Sequence, residues 1–599
     1  MKYIIFGAGQ IGHEAIELLG EENINYFIDN DETKRDLYVA GKKVYSFEQG
    51  IKSRGTEKIV IAVSKIYENQ LENQLNENHV EDYCFFGQLK VEITKKRILS
   101  RPDYIGIYKK AVGWILNNSV ISEGIINNSK LRKSYPEVTG YYIPTLIRWG
   151  YRELAISYAK WLCSIQKEDG SWYDTLDEDP YIFDSAQILK GLIAVRDIYP
   201  DITQVDETIK RGCDWILSCM TEEGQLKTPS EVAWGNIANE LIHTYCLAPL
   251  KQAAVLYNEP RYQESANRSL NYYKQYFYNE IVNFSMLSHF YAYVVEAMLD
   301  MGEIEIAREA MKNMENFQKE SGAVPAYKDV DWICSTGLFQ LSLIWFRLGD
   351  IDRGNKAFEY ACRLQNNSGG WYGSYISEEN AEEINTYFPD AEISWANKYF
   401  LDALYYKNKA EFDLNFDIFL ENISKDDERY CCVRDIVKEY NSNVKILDVG
   451  CGKGRYLKSL VCDIPNRKYY GVDISTKVMG RLDKEGIECH EGTLTNIPYA
   501  DDTFSVVYAC EALEHAVDIK SSVNEMVRVT QSNGCIIIID KNDDNYGAIE
   551  IGKWEQWLNE NELKEILSQY CKEVTVKRGL KYEGMDNPEL FTAWIGIVR

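Results

Sequence analysis

The spacing of apolar positions changes twice along the chain. It begins strand-like. Tyr3–Phe6 is a short apolar run that stops at Gly7-Ala8-Gly9-Gln10-Ile11-Gly12, and Asn25–Ile28, Ile59–Val63 and Asp82–Phe86 repeat the pattern with a helix between the last two. From about 100 to 408 apolar residues recur at helical spacing, as in Asp184–Ile198, His289–Met301 and Trp332–Leu348. Near 444 short strands return: Val444–Val449, Tyr469–Val472, Phe504–Tyr508 and Ile536–Ile539. The pattern predicts a multidomain chain with an α/β domain over 1–95, an all-α domain over 100–408 and a second α/β domain over 425–599. At 599 residues the chain is too long for one core.

In the first domain G-x-G-x-x-G follows a strand and opens a helix, and the second strand ends on Asp29. Glycine lets the backbone approach a phosphate, and an acid there can accept from ribose hydroxyls. Gly7, Gly9, Gly12 and Asp29 are therefore candidates for a nucleotide site in a Rossmann-like unit. The unit is about half a full dinucleotide domain. With its FIDND stretch and a hairpin over Tyr38–Tyr45, it resembles the small N-terminal domains of bacterial sugar-modifying enzymes. That resemblance implies either nucleotide or nucleotide-sugar binding or a purely architectural role. NAD-dependent redox chemistry is a third reading, but it lacks a Y-x-x-x-K motif here.

The helical region repeats its loops: Gln166–Trp172 (QKEDGSW), Glu222–Leu226, Glu320–Pro325 and Gln365–Trp371 (QNNSGGW). The interval holds one antiparallel helix pair, so a repeat architecture is expected. These loops resemble the Q-x-x-x-G-x-W repeats of terpenoid cyclases and protein prenyltransferases, which implies an α/α toroid. The D-x-D-D acid motif of cyclases is absent, and no prenyltransferase zinc set is evident. Related toroids serve glycan-active enzymes such as unsaturated-glucuronyl hydrolases, epimerases and lyases. The chain's 43 tyrosines and 13 tryptophans suit sugar stacking. Substrate candidates are Trp172, Asp174 and Asp184, within a cluster that includes Asp177, Glu178 and Asp179, together with His243 and His289. Paired acids suit general acid–base work on a glycosidic bond. The competing reading makes the acids solvated loop charges with Asp184 as a helix N-cap, and the histidines partial-core residues. Ser134–Tyr141 puts Pro and Gly around a polar helix entry, a candidate for the toroid mouth.

The C-terminal region carries the densest chemistry. A strand containing Asp448 runs into Gly450-Cys451-Gly452-Lys453-Gly454, giving D-x-G-x-G-x-G, and the next strand ends on Asp473. Ile497-Pro498-Tyr499 and Asp501-Asp502 precede a further strand, and Glu511-Ala512-Leu513-Glu514-His515 follows it. Residues 425–599 thus resemble the class I S-adenosylmethionine-dependent methyltransferases. The resemblance implies a seven-stranded sheet closed by Glu573–Lys577 and Phe591–Val598, with S-adenosylmethionine as cofactor. It places Gly450, Cys451, Gly452 and Gly454 at the methionyl portion, with Asp448 ordering the turn. It gives Asp473 to the ribose, counts Ile474 among the cofactor-binding residues, and gives Thr493 and Leu494 to the adenine. Threonine stands at 493 where the family often has aspartate. Glu511 faces cofactor or acceptor, and Arg429 and Tyr430 fall near the methionyl end. The E-x-x-E-H run has three readings: a metal set as in some methyltransferases of this class, a general base at His515 with Glu514, or a structural cap. No histidine follows His515, so a divalent metal is not expected and no metal ligand is assigned.

A net charge of −26 disfavours nucleic acid and anionic membrane as partners. No run of about 18 apolar residues predicts membrane insertion. The N-terminus passes from strand to glycine turn without the apolar core of a signal peptide. Fifteen cysteines without a C-x-x-C pair then suggest a reduced, cytoplasmic protein. The composite expectation is a methyltransferase with a small-molecule or glycan acceptor, acting on a sugar, nucleotide-sugar or glycan in bacterial surface polysaccharide biosynthesis. Two alternatives stand beside it: a bifunctional protein whose toroid is a hydrolase, lyase or epimerase, and a non-catalytic glycan-binding scaffold. Oligomeric state is left open.

Overall fold

The computed structural model describes all residues except 1, 90–91, 94–101, 230–235, 378–382, 479, 553–554 and 582–589. The expected junction between 95 and 100 lies outside the described residues. The chain forms two compact units. One comprises Met1–Pro102, Asp540–Leu563 and Arg578–Thr592; the other comprises Asp103–Ile539, Lys564–Lys577 and Ala593–Arg599.

In the first unit the chain runs β1 (Tyr3–Phe6), α1 (Gln10–Leu19), β2 (Ile24–Ile28), β3 (Tyr38–Val39), β4 (Lys42–Tyr45), α2 (Phe47–Ser53), β5 (Lys58–Ile61), α3 (Lys65–Glu77) and β6 (Tyr83–Phe85). The sheet order is β3-β4-β2-β1-β5-β6, with only the β3–β4 hairpin antiparallel. Period-two alternation sorts the side chains. Ile5, Phe27 and Val60 pack with Ala15 and Ile16 of α1, while Ile4, Phe6, Ile28 and Ile59 pack with Leu71 and Leu75 of α3. Each such side chain contributes about 1.5–3 kcal/mol on burial.

The second unit opens with helices: α4 (Tyr104–Asn117), α5 (Pro136–Arg148), α6 (Arg152–Ile165), α7 (Ile182–Val195), α8 (Ile202–Ser218), α9 (Asn236–Leu241), a 3-10 segment (Ile242–Cys246), α10 (Leu247–Tyr257), α11 (Pro260–Val282), α12 (Ser288–Met301), α13 (Ile304–Met314), α14 (Ser335–Leu348), α15 (Ile351–Arg363) and α16 (Ser394–Asn415). The region is not wholly helical. Ile333–Cys334 (β7) pairs with Ser374–Tyr375 (β8), so α14 begins three residues after Trp332. Helical structure also continues past 408 to Asn415.

An inner set of helices packs in sequence: α5 on α7, α7 on Ile242–Cys246 and α10, these on α12, then α14, then α16, which returns to α5. Helices α6, α8, α11, α13 and α15 lie outside, each beside its inner partner. The repeated loops explain the regularity. Gln166 and Gln365 donate to the carbonyls of Gly170 and Gly369 at 3.0 and 3.2 Å. Both also reach an outer-helix carbonyl, Thr208 and Ile107 respectively. Trp172 and Trp371 donate their indole N–H to Leu162 and Ala361 at 2.8 Å. Gly170 and Gly369 take φ near +97° and +96°, and a Cβ there would lie 2.4 and 2.1 Å from the carbonyl oxygens of Arg211 and Lys110. Because Ile107 and Lys110 belong to the first helix, the last loop closes onto the start of the repeat.

The chain continues through α17 (Glu428–Glu439), β9 (Lys445–Val449), α18 (Arg455–Asp463), β10 (Lys468–Asp473), β11 (Glu488–Glu491), β12 (Phe504–Cys510), α19 (Ile519–Val529), β13 (Thr530–Lys541), α20 (Glu560–Ser568), β14 (Cys571–Leu580) and β15 (Phe591–Val598). The sheet order is β11-β10-β9-β12-β13-β15-β14. The first five strands run parallel. Strand β9, first in the chain, lies between β10 and β12, so the strand order reverses at its C-terminal tip. Among the described residues no helix is long and apolar enough to cross a membrane.

Candidate active site

The tips of β9, β10 and β12 meet at this reversal. After β9, Gly450 and Gly454 adopt φ of +80° and +74°. A Cβ at either would fall 2.5 Å from Ala512 Cβ or 2.3 Å from Leu482 Cδ1, so only glycine fits. A Cβ at Gly452 would meet only Phe419 within 4 Å, at 3.9 Å, so the turn is uncrowded there. Its amide donates to Asp473 Oδ2 at 2.8 Å, and Ser475 N–H donates to Oδ1 at 2.9 Å. Asp473 is buried at the tip of β10; burial raises its pKa, and these two amides partly offset the rise. The His515 imidazole is close enough to act on its charge.

Asp448 is buried between Gly471 on β10 and Tyr508 on β12. Burial pushes its carboxyl up to about 8, opposed by the Tyr508 hydroxyl and the Arg455 guanidinium. Glu511, just past β12, holds a left-handed φ of +53°. Its carboxylate is gripped by Arg429 at 2.8 Å and by Arg455. Arg429 is itself fully buried and makes a two-pronged pair with Asp427. Sequence reading under-used these arginines, because α17 and α18 meet Glu511 only through the fold. Tyr430, expected beside a methionyl group, needs correction. It is fully buried and donates to Asp463 at the far end of α18, so Arg429 is the α17 residue that reaches this site.

His515 ends a 3-10 turn, Leu513–His515. Its Nε2 lies 3.6 Å from buried Glu514, its ring meets Phe412 of α16 edge-on at 5.1 Å, and its Nδ1 is buried without a hydrogen-bond partner. Helix α16 also braces the β10 tip. Lys409 donates to the Ile474 carbonyl at 2.9 Å and pairs with Glu491 at 2.6 Å, while Ser475 Oγ donates to Asp413 at 2.5 Å. Thr493 turns toward the helices, 3.4 Å from the Arg148 carbonyl, with half-buried Leu494 beside it.

The remaining candidates lie elsewhere. Asp29 accepts from the Ala8 amide at 2.8 Å and pairs with Lys34 at 3.0 Å. Gly7 and Gly12 are forced by contact, since a Cβ at Gly12 would meet Gly7 O at 2.0 Å, whereas Gly9 is open. Trp172 is wholly buried in its loop contact and cannot stack on a ligand. Asp174 closes its own loop onto the amides of Leu176 and Glu178. Asp184 is neither solvated nor an N-cap: it lies in the first turn of α7, after Tyr181, and is 2% exposed. His243 and His289 are buried, with pKa values lowered by burial to about 4 and about 3. His243 meets Tyr273 of outer helix α11, while His289 meets Gln340 of α14 and the rings of Tyr293 and Tyr399, so the two face different neighbours.

Residues 447–538 match the family model described as methyltransferase domain. The chain is 36% identical over 98 residues to a demethylmenaquinone methyltransferase of Chlorobaculum parvum, covering 16% of this chain and 40% of that protein. It is 28% identical over 144 residues to a phthiotriol/phenolphthiotriol dimycocerosates methyltransferase of Mycobacterium ulcerans, covering 23% and 51%. The chain therefore spans about half or less of the length of these relatives. A solved structure of an unsaturated glucuronyl hydrolase specific for heparin aligns with 51% of this chain and 97% of its own, at 14% identity and a TM-score of 0.39. The chain carries a class I S-adenosylmethionine-dependent methyltransferase domain.

Proposed function

We propose that the protein transfers a methyl group from S-adenosylmethionine to a hydroxyl of a sugar, nucleotide-sugar or glycan, in the cytoplasm and within surface polysaccharide assembly. The observation that carries the cofactor reading is the Gly452–Asp473–Ser475 hydrogen-bond set beside an open glycine turn. An acid already aligned by two amides pays little to order itself around a ribose diol. When bound, S-adenosylmethionine supplies an electrophilic methyl group. Asp473 would hold the ribose, the 450–454 backbone the methionyl end, and Asp448 the turn. The Arg429–Glu511–Arg455 set gives that end a rigid polar wall. His515, half-buried beside Glu514 and close enough to act on the charge of Asp473, is the residue we assign to take the acceptor's proton.

The sugar reading rests on the union of this domain with an aromatic-rich helical ring, read here as an α/α toroid, and with a small Rossmann-like nucleotide fold. Lys34 already neutralises Asp29, which favours an architectural role for that fold over nucleotide-sugar binding. Calorimetric titration with S-adenosylmethionine tests the first claim: no heat and no thermal shift at saturation removes it. Intact mass of candidate nucleotide-sugars and glycans after incubation with isotopically labelled cofactor tests the second, with a labelled methyl group on one of them expected.

A further inference from the structure

Three residues, Trp149–Tyr151, join α5 to α6, and this corner of the helical ring packs on the methyltransferase fold. Gly150 takes φ of +86°, and a Cβ there would lie 3.1 Å from Ser521 Cβ and 3.2 Å from the Thr495 carbonyl oxygen. Only glycine permits that approach. From the ring side, α16 holds the corner. The Arg148 guanidinium bonds Asp402 at 2.7 Å and lies over the Tyr405 ring at 4.3 Å, while the Trp149 indole donates to the Leu401 carbonyl at 3.2 Å. From the other side, the Tyr108 and Tyr151 hydroxyls donate to Asp518 Oδ2 at 3.2 and 3.1 Å. Asp518 is the N-cap of α19, where its Oδ1 accepts the Ser521 amide at 2.9 Å.

The last carbonyls of a helix need partners from outside it. Arg148 ends α5, and its carbonyl accepts from Thr495 Oγ1 at 2.6 Å and from Thr493 Oγ1 at 3.4 Å. Both threonines belong to the loop that follows β11. That loop lies against the tip of β10: the Gly492 amide donates to the Asp473 carbonyl at 2.9 Å, and a Cβ at Gly492 would meet Val472 at 2.6 Å. Thr493 and Asn496 close it with paired backbone bonds of 3.1 Å. A base attached to a ribose on Asp473 therefore falls beside this loop. Thr495 is buried, whereas Thr493 and Leu494 are half-buried. Threonine also suits position 493 better than aspartate here, because an ionised carboxylate cannot donate to the Arg148 carbonyl.

We propose that Thr495 is a positioning residue for the adenine side of the cofactor site, and that the α5–α6 corner of the helical ring, through the Arg148 carbonyl, sets how tightly and how selectively the base is held. The inference rests on the S-adenosylmethionine reading above. It gives the ring a mechanical part in cofactor binding that needs no ligand of its own. Thr495 acts through Thr493 and Leu494, which border the base, and not on the reacting atoms. Without its hydroxyl the buried carbonyl loses its shorter bond and the loop its fixed distance from the β10 tip. Contacts to the base then weaken, while the ribose bonds to Asp473 remain.

The test is calorimetry on the full chain with two nucleosides, S-adenosylhomocysteine and S-inosylhomocysteine, which differ only in the base. The wild type is expected to prefer the adenine compound. Thr495→Val should weaken that compound about fivefold and narrow the preference, and Thr495→Ser, which keeps the donor, should stay within about twofold of wild type. Thr495→Ala, which leaves a gap instead of a methyl group against the carbonyl, decides if melting shows that the valine variant does not fold. Unchanged affinity in a folded valine or alanine variant would overturn the proposal. So would a serine variant as weak as the valine one, equal losses for the two nucleosides, or no preference in the wild type. A wild type that binds neither nucleoside removes the cofactor reading and this inference with it; a wild type that binds, with variants that match it, removes this inference alone.

Discussion

The chain builds the same glycine turn twice, and the two copies differ in what surrounds them. After β1, Asp29 accepts the Ala8 amide of the turn and the amide of Asp31 two residues on. After β9, Asp473 accepts the Gly452 amide of the turn and the amide of Ser475 two residues on. Backbone and acid follow one plan, because a parallel strand pair feeding a helix places the second strand's last residue against the first strand's turn. The neighbours part company. Asp29 has Lys34 on its own loop, which neutralises it. Asp473 stands near Asp413 and His515, is braced by α16 and is buried. The turn is a folding device in both places, and the difference lies in the groups that surround its acid.

The sharpest way to break that comparison is at His515, beside Asp473. His515→Ala should lower turnover by about 100- to 1,000-fold, as loss of a general base does, while cofactor affinity stays within about threefold. Unchanged turnover by radiolabel transfer would return His515 to a capping role. Next come the two acids themselves. Asp473→Ala should weaken S-adenosylmethionine by about 50-fold in calorimetry, from lost charge-assisted hydrogen bonds, and Asp29→Ala by less than about twofold. Equal losses would mean that the cofactor does not distinguish the two turns.

A smaller effect probes the brace. Asp413→Asn leaves shape intact but weakens the hydrogen bond from Ser475, so cofactor affinity should fall about fivefold. An unchanged affinity would confine α16 to packing. A separate effect, on stability rather than on turnover or affinity, is a slope with pH. Asp448 holds its proton up to about pH 8 in the folded protein against an ordinary value of 3.8. Between those values the native state binds more protons than the unfolded chain, so stability falls as pH rises, by at most about 1.4 kcal/mol per unit. Melting temperatures measured from pH 4 to 8 should show a shallower decline in Asp448→Asn; a parallel decline would contradict this burial.

Much of the site was legible because it is local. The strand–turn–helix of 445–463 and the acid at 473 follow from apolar runs, positive-φ glycines and a strand end, all within one βαβ unit. The loops at 166–172 and 365–371 were visible for the same reason, since their bonds mostly join residues four or ten apart. Where sequence reasoning assigned roles to isolated residues it fared differently. Trp172 is a core ring, Asp184 is buried rather than solvated, and Tyr430 turns to Asp463.

From the sequence alone came the element types, the repeat and the methyltransferase turn, because steric and hydrogen-bond rules acting over a few residues decide them. Tertiary structure alone decided which charges meet. Arg429 reaches Glu511 across 82 residues and Asp413 reaches Ser475 across 62. Glu137 and Asp184 face one another only because α5 and α7 start at the same end of a closed ring. Charge pairing depends on distance in space, and that distance is set by how helices and strands pack, which no short window of residues contains.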